Sequence, residues 1–309
     1  MKVSAVVRCL NEAQHIGRLV EGMRKQSVPV GELIFVDSGS TDGTLDIISD
    51  LGDKVVHIDR SEFSFGRSLN RGISEATGDV VLICSAHVYP VYDTWVQKLV
   101  EPFSRDSVAY AYGRQEGDHR TKFSESRVME SWFPSESIHR QPYAFANNAN
   151  SIIRRKVWDS RPFDESLTGL EDVDWANYVI KSGLDISYQA EAVVKHVHEE
   201  SWSTIRNRYR REAIAYKRII ESSSLSLLSA SGLVAANVIQ DYVSATRRGV
   251  LFPHFFDIPA FRFCQFIGAW QGFNGNLPEA DLLSRFYYPS KRVSESGTVD
   301  GQEIEYAGE

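Results

Sequence analysis

The chain has 309 residues, of which 42% are hydrophobic and 24% charged, with 34 Lys and Arg against 41 Asp and Glu and a net charge of −7. This composition is ordinary for a globular protein and excludes a fully disordered chain, a collagen-like repeat and a disulfide scaffold. The net acidity weighs against a protein that coats nucleic acid, because phosphate neutralisation needs clustered Lys and Arg. Five of the acids, however, lie in residues 293–309, which contain no Lys or Arg. We therefore expect a disordered acidic tail after a nearly neutral remainder, so the charge excludes neither an anionic ligand nor an anionic membrane.

Cysteine usage and hydropathy predict the compartment. The three cysteines are an odd, sparse set without metal-ligand spacing, which suits a reducing environment. No run of 18 apolar residues occurs, and the best candidate, 225–239, is broken by serines. Polar residues occur within the first dozen positions, before a signal-peptide core could form. We expect a cytoplasmic protein, and peripheral contact with the inner face of the plasma membrane stays open.

In the first third of the chain, apolar runs alternate with helical patterns. Strands are predicted at 3–10, 32–39, 54–58 and 79–85, and helices at 12–25, 45–52 and 66–78. Near-continuous apolar strands separated by helices indicate a parallel sheet covered on both faces. The expected fold class is α/β, with a Rossmann-like, mostly parallel central sheet.

The pattern is less regular in the rest of the chain. The predicted elements are a helix at 95–103, strands at 107–114 and 144–155, a helix from about 172 to 183, a strand pair within 185–199, and helices at 203–220, 224–247 and 258–272. Residues 115–142 are polar and aromatic without a clear period, which predicts a mobile loop or lid. The predicted organisation is an α/β domain over 1–202, a C-terminal helical extension over 203–292 and the tail over 293–309.

The segment 36–44 closes a predicted strand and opens a predicted helix. In open α/β sheets, ligands bind at the carboxyl ends of the strands, where a carboxylate such as Asp37 can accept a hydrogen bond from a nucleobase or a ribose hydroxyl. The alternative is helix capping by Ser40 or Thr41, with Asp42 favoured by the helix dipole. We predict ligand contact for Asp37 in preference to capping.

Four blocks, in order, resemble a known family. They are VRCLNE at 7–12, DSGSTDGT at 37–44, GRSLNRG at 66–72 with GD at 78–79, and GLEDVDW at 169–175. The sequence resembles the family 2 (GT2) nucleotide-sugar glycosyltransferases of the GT-A fold from residue 3 to about 198. It is most similar to their rhamnosyltransferase-like branch, through FSFGRSLNRG at 63–72 and the proline at position 90. The resemblance implies an inverting transfer of a hexosyl or deoxyhexosyl unit from a nucleotide diphosphate to a glycan or lipid-linked glycan, in surface polysaccharide synthesis.

By this resemblance, the donor site is built by residues of the first three blocks, namely Arg8, Asn11, Glu12, Asp37, Arg67 and Asn70. The first four would hold the nucleoside, and the last two would lie near the diphosphate or at the base of the site. Arginine is suited to bidentate phosphate contact, but a surface arginine at the start of a helix explains Arg67 equally well.

The sequence departs from the family after the fourth strand, where an Asp-x-Asp-like element normally holds a divalent cation. Ser85, Ala86 and His87 stand there and are expected at the donor site. Imidazole binds Mn²⁺ or Zn²⁺ but is a poor ligand for Mg²⁺ or Ca²⁺, which prefer oxygen. Three interpretations of His87 stay open: a metal ligand that favours Mn²⁺ over Mg²⁺, a phosphate partner without any metal, or a degenerate, inactive site.

His196 and His198 bear on that question, because residues two apart on a strand face the same side. The resemblance implies a late histidine on the same metal, and His198 is the favoured candidate. The alternative is an exposed strand end with two solvated histidines.

Glu171, Asp172 and Asp174 lie at the start of a predicted helix, where carboxylates complement the helix dipole. The resemblance makes Asp172, or less favourably Glu171, the general base. An inverting transfer needs such a carboxylate to deprotonate the acceptor hydroxyl as it attacks the anomeric carbon. Helix stabilisation alone is the alternative.

Polar and aromatic residues before the later strands are candidates for the acceptor site. Asn148, with Asn147 and Asn150, carries amides that suit sugar hydroxyls, although all three could be turn formers. Trp132 could form a platform for the acceptor or simply pack.

The predicted helix at 203–220 is strongly basic. Its cations are Arg206, Arg208, Arg210, Arg211, Lys217 and Arg218. A solvated face is the default interpretation, and contact with anionic lipid, docking of the C-terminal part and reach to the donor pyrophosphate are the alternatives.

Two other functions compete with the transferase. A noncatalytic sugar-nucleotide or glycan-binding module would have kept the fold and lost the Asp-x-Asp function, but it would need no base. A nucleotidyltransferase is disfavoured, since no Gly-rich, basic phosphate loop follows the first strand. The expected partners are a nucleotide-diphosphate sugar and its acceptor, with no nucleic acid.

Overall fold

The computed structural model describes residues 1–275. The last part of the predicted helical extension, 276–292, and the predicted acidic tail, 293–309, lie outside the described residues. Among the helices of the described part, none combines the length and the apolar character needed to cross a membrane.

A single sheet of eight strands organises the described chain. The strands are β1 (Val3–Cys9), β2 (Glu32–Asp37), β3 (Lys54–His57), β4 (Val80–Ser85), β5 (Val88–Pro90), β6 (Val108–Glu116), β7 (Asn150–Arg154) and β8 (Asp185–His196). Their spatial order is β3-β2-β1-β4-β7-β6-β8-β5. The pairs β1–β2, β2–β3, β1–β4 and β6–β8 are parallel, whereas β7 is antiparallel to both of its neighbours and β5 is antiparallel to β8. The mostly parallel sheet that the apolar runs predict is confirmed.

Helices cover both faces of this sheet and continue beyond it. They are α1 (Ile16–Arg24), α2 (Thr44–Leu51), α3 (Phe65–Ser74), α4 (Trp95–Val100), α5 (Phe123–Trp132), α6 (Arg155–Ser160), α7 (Glu171–Lys181), α8 (Trp202–Ile219), α9 (Leu227–Arg247), α10 (Leu251–His254) and α11 (Asp257–Asn274).

The strands are apolar on both sides because each side of the sheet has its own core. Successive residues of a strand point to opposite faces. Val7 accordingly packs with Trp95 of α4 in one buried cluster, while Val6 packs with Trp175 of α7 in the other. Burial on both faces explains why β1, β2 and β4 show no polar alternation.

The C-terminal helices are docked onto the sheet domain. α8 and α11 can approach closely because Gly268 and Gly272 of α11 have no Cβ. A Cβ at these positions would lie 2.4 Å from Arg206 O and 2.3 Å from Arg210 O, respectively. A buried ion pair joins Arg262 Nε of α11 to Asp241 Oδ2 of α9 at 2.7 Å. Ser124 of α5 donates to the same carboxylate at 2.7 Å, which ties both helices to the region after β6.

Two predictions for the second half are wrong. Part of the expected loop at 115–142 forms α5, in which the polar Ser124 and Glu125 are buried one turn before the apolar Val128 and Met129. These polar residues hide the helical period. The expected strand pair at 185–199 is the single long strand β8. The short elements β5, α6 and α10 were not predicted, because three to six residues carry too little periodicity.

Gly72 of α3 marks the tightest helix–sheet contact, since a Cβ there would lie 2.5 Å from Val6 Cγ1 and 2.7 Å from Val36 Cγ2. We predict that Gly72→Ala lowers the free energy of unfolding by about 1–3 kcal/mol through overpacking. Gly17→Ala is the matched control, because nothing lies within 4 Å of its Cβ position. That variant should gain about 0.4–1 kcal/mol, and urea unfolding followed by circular dichroism measures both. Wild-type stability of Gly72→Ala would contradict this packing.

Candidate functional site

A cleft of about 290 Å³ lies at the carboxyl ends of β1 and β4, bounded by α5, α7 and α8. The predicted site residues that line it are Arg8, Ser85, His87, Trp132, Asn148, Glu171, Asp172 and His198. Those that do not line it are Asn11, Glu12, Asp37, Arg67, Asn70 and Ala86. The sheet therefore brings the predicted acids and histidines together, although up to 111 positions separate them in the sequence.

Asn11 and Glu12 lie in a loop that is fastened to the segment after β2. Asn11 adopts a positive φ of 58°, a conformation that asparagine tolerates better than most residues. Its Oδ1 accepts from Thr41 N at 2.8 Å, and Glu12 N donates to Thr44 Oγ1 at 2.7 Å. These hydrogen bonds fix the loop so that Glu12 Oε1 lies 2.8 Å from His87 Nδ1. Glu12 therefore contacts a residue of the cleft without lining the cleft itself.

Asp37 shapes the loop after β2 and caps no helix; α2 begins after Gly43, and neither Ser40 nor Thr41 caps it with a side chain. Its carboxylate is buried and accepts from Gly39 N at 2.9 Å and from Ser40 N at 3.2 Å. Gly39 has a φ of 90°, which lets the chain turn back over this carboxylate. These bonds use Asp37 to build the loop after β2, and its contact with a nucleoside stays a prediction.

Arg67 and Asn70 do not line the cleft, and their predicted place near the diphosphate or at the base of the donor site stays a prediction. Arg67 Nε pairs with Glu165 Oε2 at 2.8 Å, and Asn70 Nδ2 donates to Phe163 O at 2.9 Å. The Trp158 indole donates to Asn70 Oδ1 at 3.0 Å. Both side chains therefore anchor the segment that leads into α7. Ala86 is also buried and belongs to the apolar core under the sheet.

The two candidate bases occupy different environments although they are adjacent in sequence. Glu171 Oε1 lies 3.3 Å from Arg8 Nη1, so its charge has a cationic partner. Asp172 accepts from Asn148 N at 3.1 Å and from Val173 N at 2.8 Å. Leu170, just before α7, has a φ of 57°, and this turn carries the chain into the helix at the edge of the cleft.

Burial raises the pKa of Asp172 to about 7, and the neighbouring charge of Glu171 acts in the same direction. Hydrogen bonds from the backbone and the charge of Arg8 oppose this shift. A carboxylate that titrates near neutrality can accept a proton at physiological pH more readily than an ordinary aspartate.

Three imidazoles converge on the other side of the cleft. His87 follows β4, and His196 and His198 lie at the end of β8, with Val88 paired to His196 in register. His196 Nε2 and His198 Nε2 are 2.9 Å apart, and the rings of His87 and His196 stack at 5.1 Å between centroids. His196 is buried, so the solvated strand end that was the alternative for this pair does not occur.

Sequence reasoning missed the partners of these histidines. Glu125, buried on α5, accepts from His198 Nδ1 at 2.6 Å and pairs with Arg208 Nη2 of α8 at 2.5 Å. Burial alone would raise the pKa of Glu125, but His198 and Arg208 outweigh it and hold the pKa at about 2. Gln115 Oε1 lies 2.7 Å from His196 Nδ1. No local pattern could have identified these residues, because they lie 73 and 81 positions from their histidines.

The acceptor candidates divide between the cleft and the scaffold. Asn148 faces the acids, with Nδ2 at 3.4 Å from Glu171 Oε1, and Trp132 is half-exposed on the rim. Asn150 is scaffold, since it accepts from the Trp95 indole at 2.8 Å and donates to Ala192 O at 2.9 Å. Asn147 Oδ1 accepts from Ala149 N at 3.0 Å, which is the turn-forming role.

The solvated face that was the default interpretation of the basic helix holds only for Arg206, Lys217 and Arg218, which are exposed. Arg208 is partly buried against Glu125 and Glu200, and the Arg211 guanidinium lies 4.6 Å from the centre of the Phe65 ring. Lys217 Nζ donates to Phe273 O at the end of α11 at 2.9 Å. The helix therefore docks α11 and lines the cleft with Arg208 and Arg211.

Comparison with known proteins identifies similar sequences. Residues 4–159 match the model of the family described as Glycosyl transferase family 2. The O-antigen chain rhamnosyltransferase RfbN of Salmonella typhimurium is 26% identical over 211 residues, which cover 64% of this chain and 67% of RfbN. The O-antigen chain rhamnosyltransferase WbaN of Salmonella anatum is 26% identical over 57% of this chain and 59% of its own length, which is less than two thirds. The succinoglycan biosynthesis protein ExoA of Rhizobium meliloti is 35% identical over 31% of each chain.

Solved structures show the same fold at low identity. S. aureus TarS 1-349 in complex with UDP has a TM-score of 0.54 and 18% identity, over 86% of this chain and 90% of its own. The mannosyltransferase PcManGT from Pyrobaculum calidifontis, in complex with GDP-Man and Mn²⁺, has a TM-score of 0.55 and 17% identity over 93% and 81%. The GT-A fold expected from the sequence is thereby confirmed.

Proposed function

This chain belongs to glycosyl transferase family 2, and from that premise we propose that it is an inverting enzyme of surface polysaccharide synthesis. It moves a hexosyl or deoxyhexosyl unit from a nucleotide-diphosphate donor to a glycan or lipid-linked glycan. The relatives named as O-antigen rhamnosyltransferases and as a succinoglycan biosynthesis protein support this assignment.

One observation carries the proposal: a buried carboxylate with a raised pKa faces the same cleft as a cluster of three histidines. Asp172 takes the proton from the acceptor hydroxyl, whose oxygen attacks the anomeric carbon as the bond to the diphosphate breaks. The attack comes from the face opposite the leaving group, so a single step inverts the configuration. A noncatalytic binding module would have no use for a base placed in this way.

The groups around Asp172 prepare it for this role. Burial and the charge of Glu171 keep the pKa of Asp172 high, while Arg8 Nη1 lies 3.3 Å from the Glu171 carboxylate and pairs with it. The backbone amides of Asn148 and Val173 fix the orientation of the Asp172 carboxylate. Asn148 and Trp132 line the same cleft as the base, and their amide and aromatic face suit an acceptor sugar.

The donor diphosphate would lie against the histidines. We propose His87 and His198 as ligands of a divalent cation. These two imidazoles suit Mn²⁺ better than Mg²⁺, since imidazole is a poor Mg²⁺ ligand. Such a cation supplies charge neutralisation to the leaving diphosphate. Ser85 borders the same part of the cleft, and Arg208 and Arg211 lie at its α8 side.

We place the enzyme in the cytoplasm, with peripheral contact to the inner face of the plasma membrane. Because α8 is used for docking, α9 and α10 are the better membrane surface. Their exposed apolar side chains include Leu228 (85% exposed), Ile239 (62%) and Phe252 (95%). The one acid between positions 222 and 256, Asp241, is buried, whereas Arg247 is exposed, so this surface suits anionic lipid.

Replacing the base tests the mechanism. We predict that Asp172→Asn reduces transfer by about 10²–10⁴-fold with little change in donor binding, because an amide cannot accept the acceptor proton. Asp174→Asn is the control, since Asp174 pairs with Arg161 at 2.6 Å and lies outside the cleft. Nucleotide release measured over a panel of donors and acceptors provides the readout. Full transfer by Asp172→Asn would contradict the assignment of the base.

The pH profile tests the environment of that base. Asp172 must be deprotonated to act, and its pKa is about 7, so transfer should rise as pH increases through about 7. Glu171→Gln removes a charge that raises this pKa, so the midpoint of the profile should move to lower pH. An unchanged midpoint in Glu171→Gln would show that another group controls the profile.

Sedimentation with vesicles tests the membrane surface. We expect binding to vesicles that contain anionic lipid and a loss of at least about tenfold in Phe252→Ser/Phe256→Ser, because both side chains are exposed (95% and 81%) and would enter the lipid interface. Tyr92→Ser is the control, as Tyr92 is 56% exposed on the loop before α4. Equal binding by all three proteins would contradict the assigned surface.

A further inference from the structure

The three imidazoles form a ligand set that is larger than a His87–His198 pair. One nitrogen from each of His87, His196 and His198 lies within 4.8 Å of the other two. The ring centroids of His196 and His198 are 4.1 Å apart, and that of His87 lies 5.1 and 6.1 Å from them. Ser85 and His87 stand at the two acidic positions of the Asp-x-Asp element, so this segment supplies an imidazole in place of a carboxylate.

Each of the three imidazoles is oriented by a side-chain oxygen atom that contacts its Nδ1. The Nδ1 atoms of His87, His196 and His198 lie 2.8, 2.7 and 2.6 Å from side-chain oxygens of Glu12, Gln115 and Glu125. Carboxylate and amide oxygens only accept hydrogen bonds, so each Nδ1 is the donor in its pair, and the second ring nitrogen is the one left for a further partner. Orientation of a ring through its second nitrogen is the usual arrangement around a histidine-bound metal.

The Nε2 atoms of His196 and His198 face each other at 2.9 Å, close enough to share one proton or one cation. One shared proton would serve two of the three nitrogens, whereas one cation serves all three. A competing set of Glu125, Glu200 and His198 is less suited to a cation, since both of its carboxylates already pair with Arg208 at 2.5 and 2.7 Å.

We propose that His87, His196 and His198 together form an all-nitrogen site that selects Zn²⁺ over Mn²⁺ and Mg²⁺, with Glu12, Gln115 and Glu125 as positioning residues. Imidazole suits Zn²⁺, Mn²⁺ is the weakest binder in the divalent transition series, and Mg²⁺ requires oxygen. Three histidine ligands, with the fourth coordination position open, are an established ligand set for catalytic zinc. The inference rests on the proposed function only in that the open position faces the cleft of the donor diphosphate.

Metal binding by the full chain tests this site without reference to transfer. After chelation and removal of the chelator, titration calorimetry with Zn²⁺, Mn²⁺ and Mg²⁺ should give one Zn²⁺ per chain, bound at least about tenfold more tightly than Mn²⁺, and no measurable Mg²⁺ binding. Co²⁺ should produce the intense visible absorption of a low-coordinate nitrogen site and should be displaced by Zn²⁺.

Variants separate the ligands from the positioning residues. His196→Ala should abolish the Co²⁺ spectrum, and Gln115→Ala and Glu125→Gln should each weaken Zn²⁺ binding by about 10–100-fold. His119→Ala is the control, because its side chain is 85% exposed and lies outside the cluster. If Glu125→Gln fails to fold, Gln115→Ala alone tests the positioning residues, since Gln115 has no ion pair to lose.

The outcomes distinguish this inference from the proposed function. Tighter binding of Mn²⁺ than Zn²⁺, or unchanged Zn²⁺ binding in His196→Ala, would overturn the three-histidine site while leaving the transferase intact. Zn²⁺ binding as predicted in a protein that transfers no sugar from any donor would instead overturn the proposed function and support the site.

Discussion

The end of β8 is the constraint on which the rest of the site depends. Its antiparallel pairing with β5 sets Val88 opposite His196, and Val197 N donates to His87 O at 3.1 Å, so the turn after β4 is held against the last strand. On the other edge, the β6–β8 register shifts between Gly113 and Gln115, which places Gln115 beside His196. Because side chains alternate along a strand, a slip of one residue would turn both histidines of β8 away from His87.

The C-terminal helices complete this site and are more than an appendage. Arg208 of α8 pairs with Glu125, whose carboxylate also holds His198, so one buried acid connects α8, α5 and β8. The Arg262–Asp241 pair and Ser124 fix the other end of the same assembly. Removing one partner of a buried ion pair leaves an uncompensated charge, which typically costs about 3–5 kcal/mol. Sequence changes in the helical region therefore reach the cleft through α5.

Much of the fold could be predicted from the sequence because β1, β2 and β4 are buried on both faces and show it as continuous apolar runs. The acids at 171–172 and the histidines at 87, 196 and 198 could also be found, since each belongs to a short motif at a strand or helix end. α5 could not be predicted, because its buried face carries Glu125. The partners of Arg67 and Asn70 in 163–165 could not be predicted, because they lie more than ninety positions away and no local pattern reveals that pairing. The Asp37 carboxylate bonds with its own next residues, and its contact with a nucleoside stays a prediction.

Two adjacent carboxylates with different partners are the centre of the account. Both are buried, but Glu171 faces a cation, while Asp172 accepts from backbone amides and is available as a base. A base in this position implies direct displacement at the anomeric carbon. The most direct measurement is the anomeric configuration of the transferred sugar, followed by proton NMR from donor to product. The account predicts inversion relative to the donor; retention of the donor configuration would contradict it.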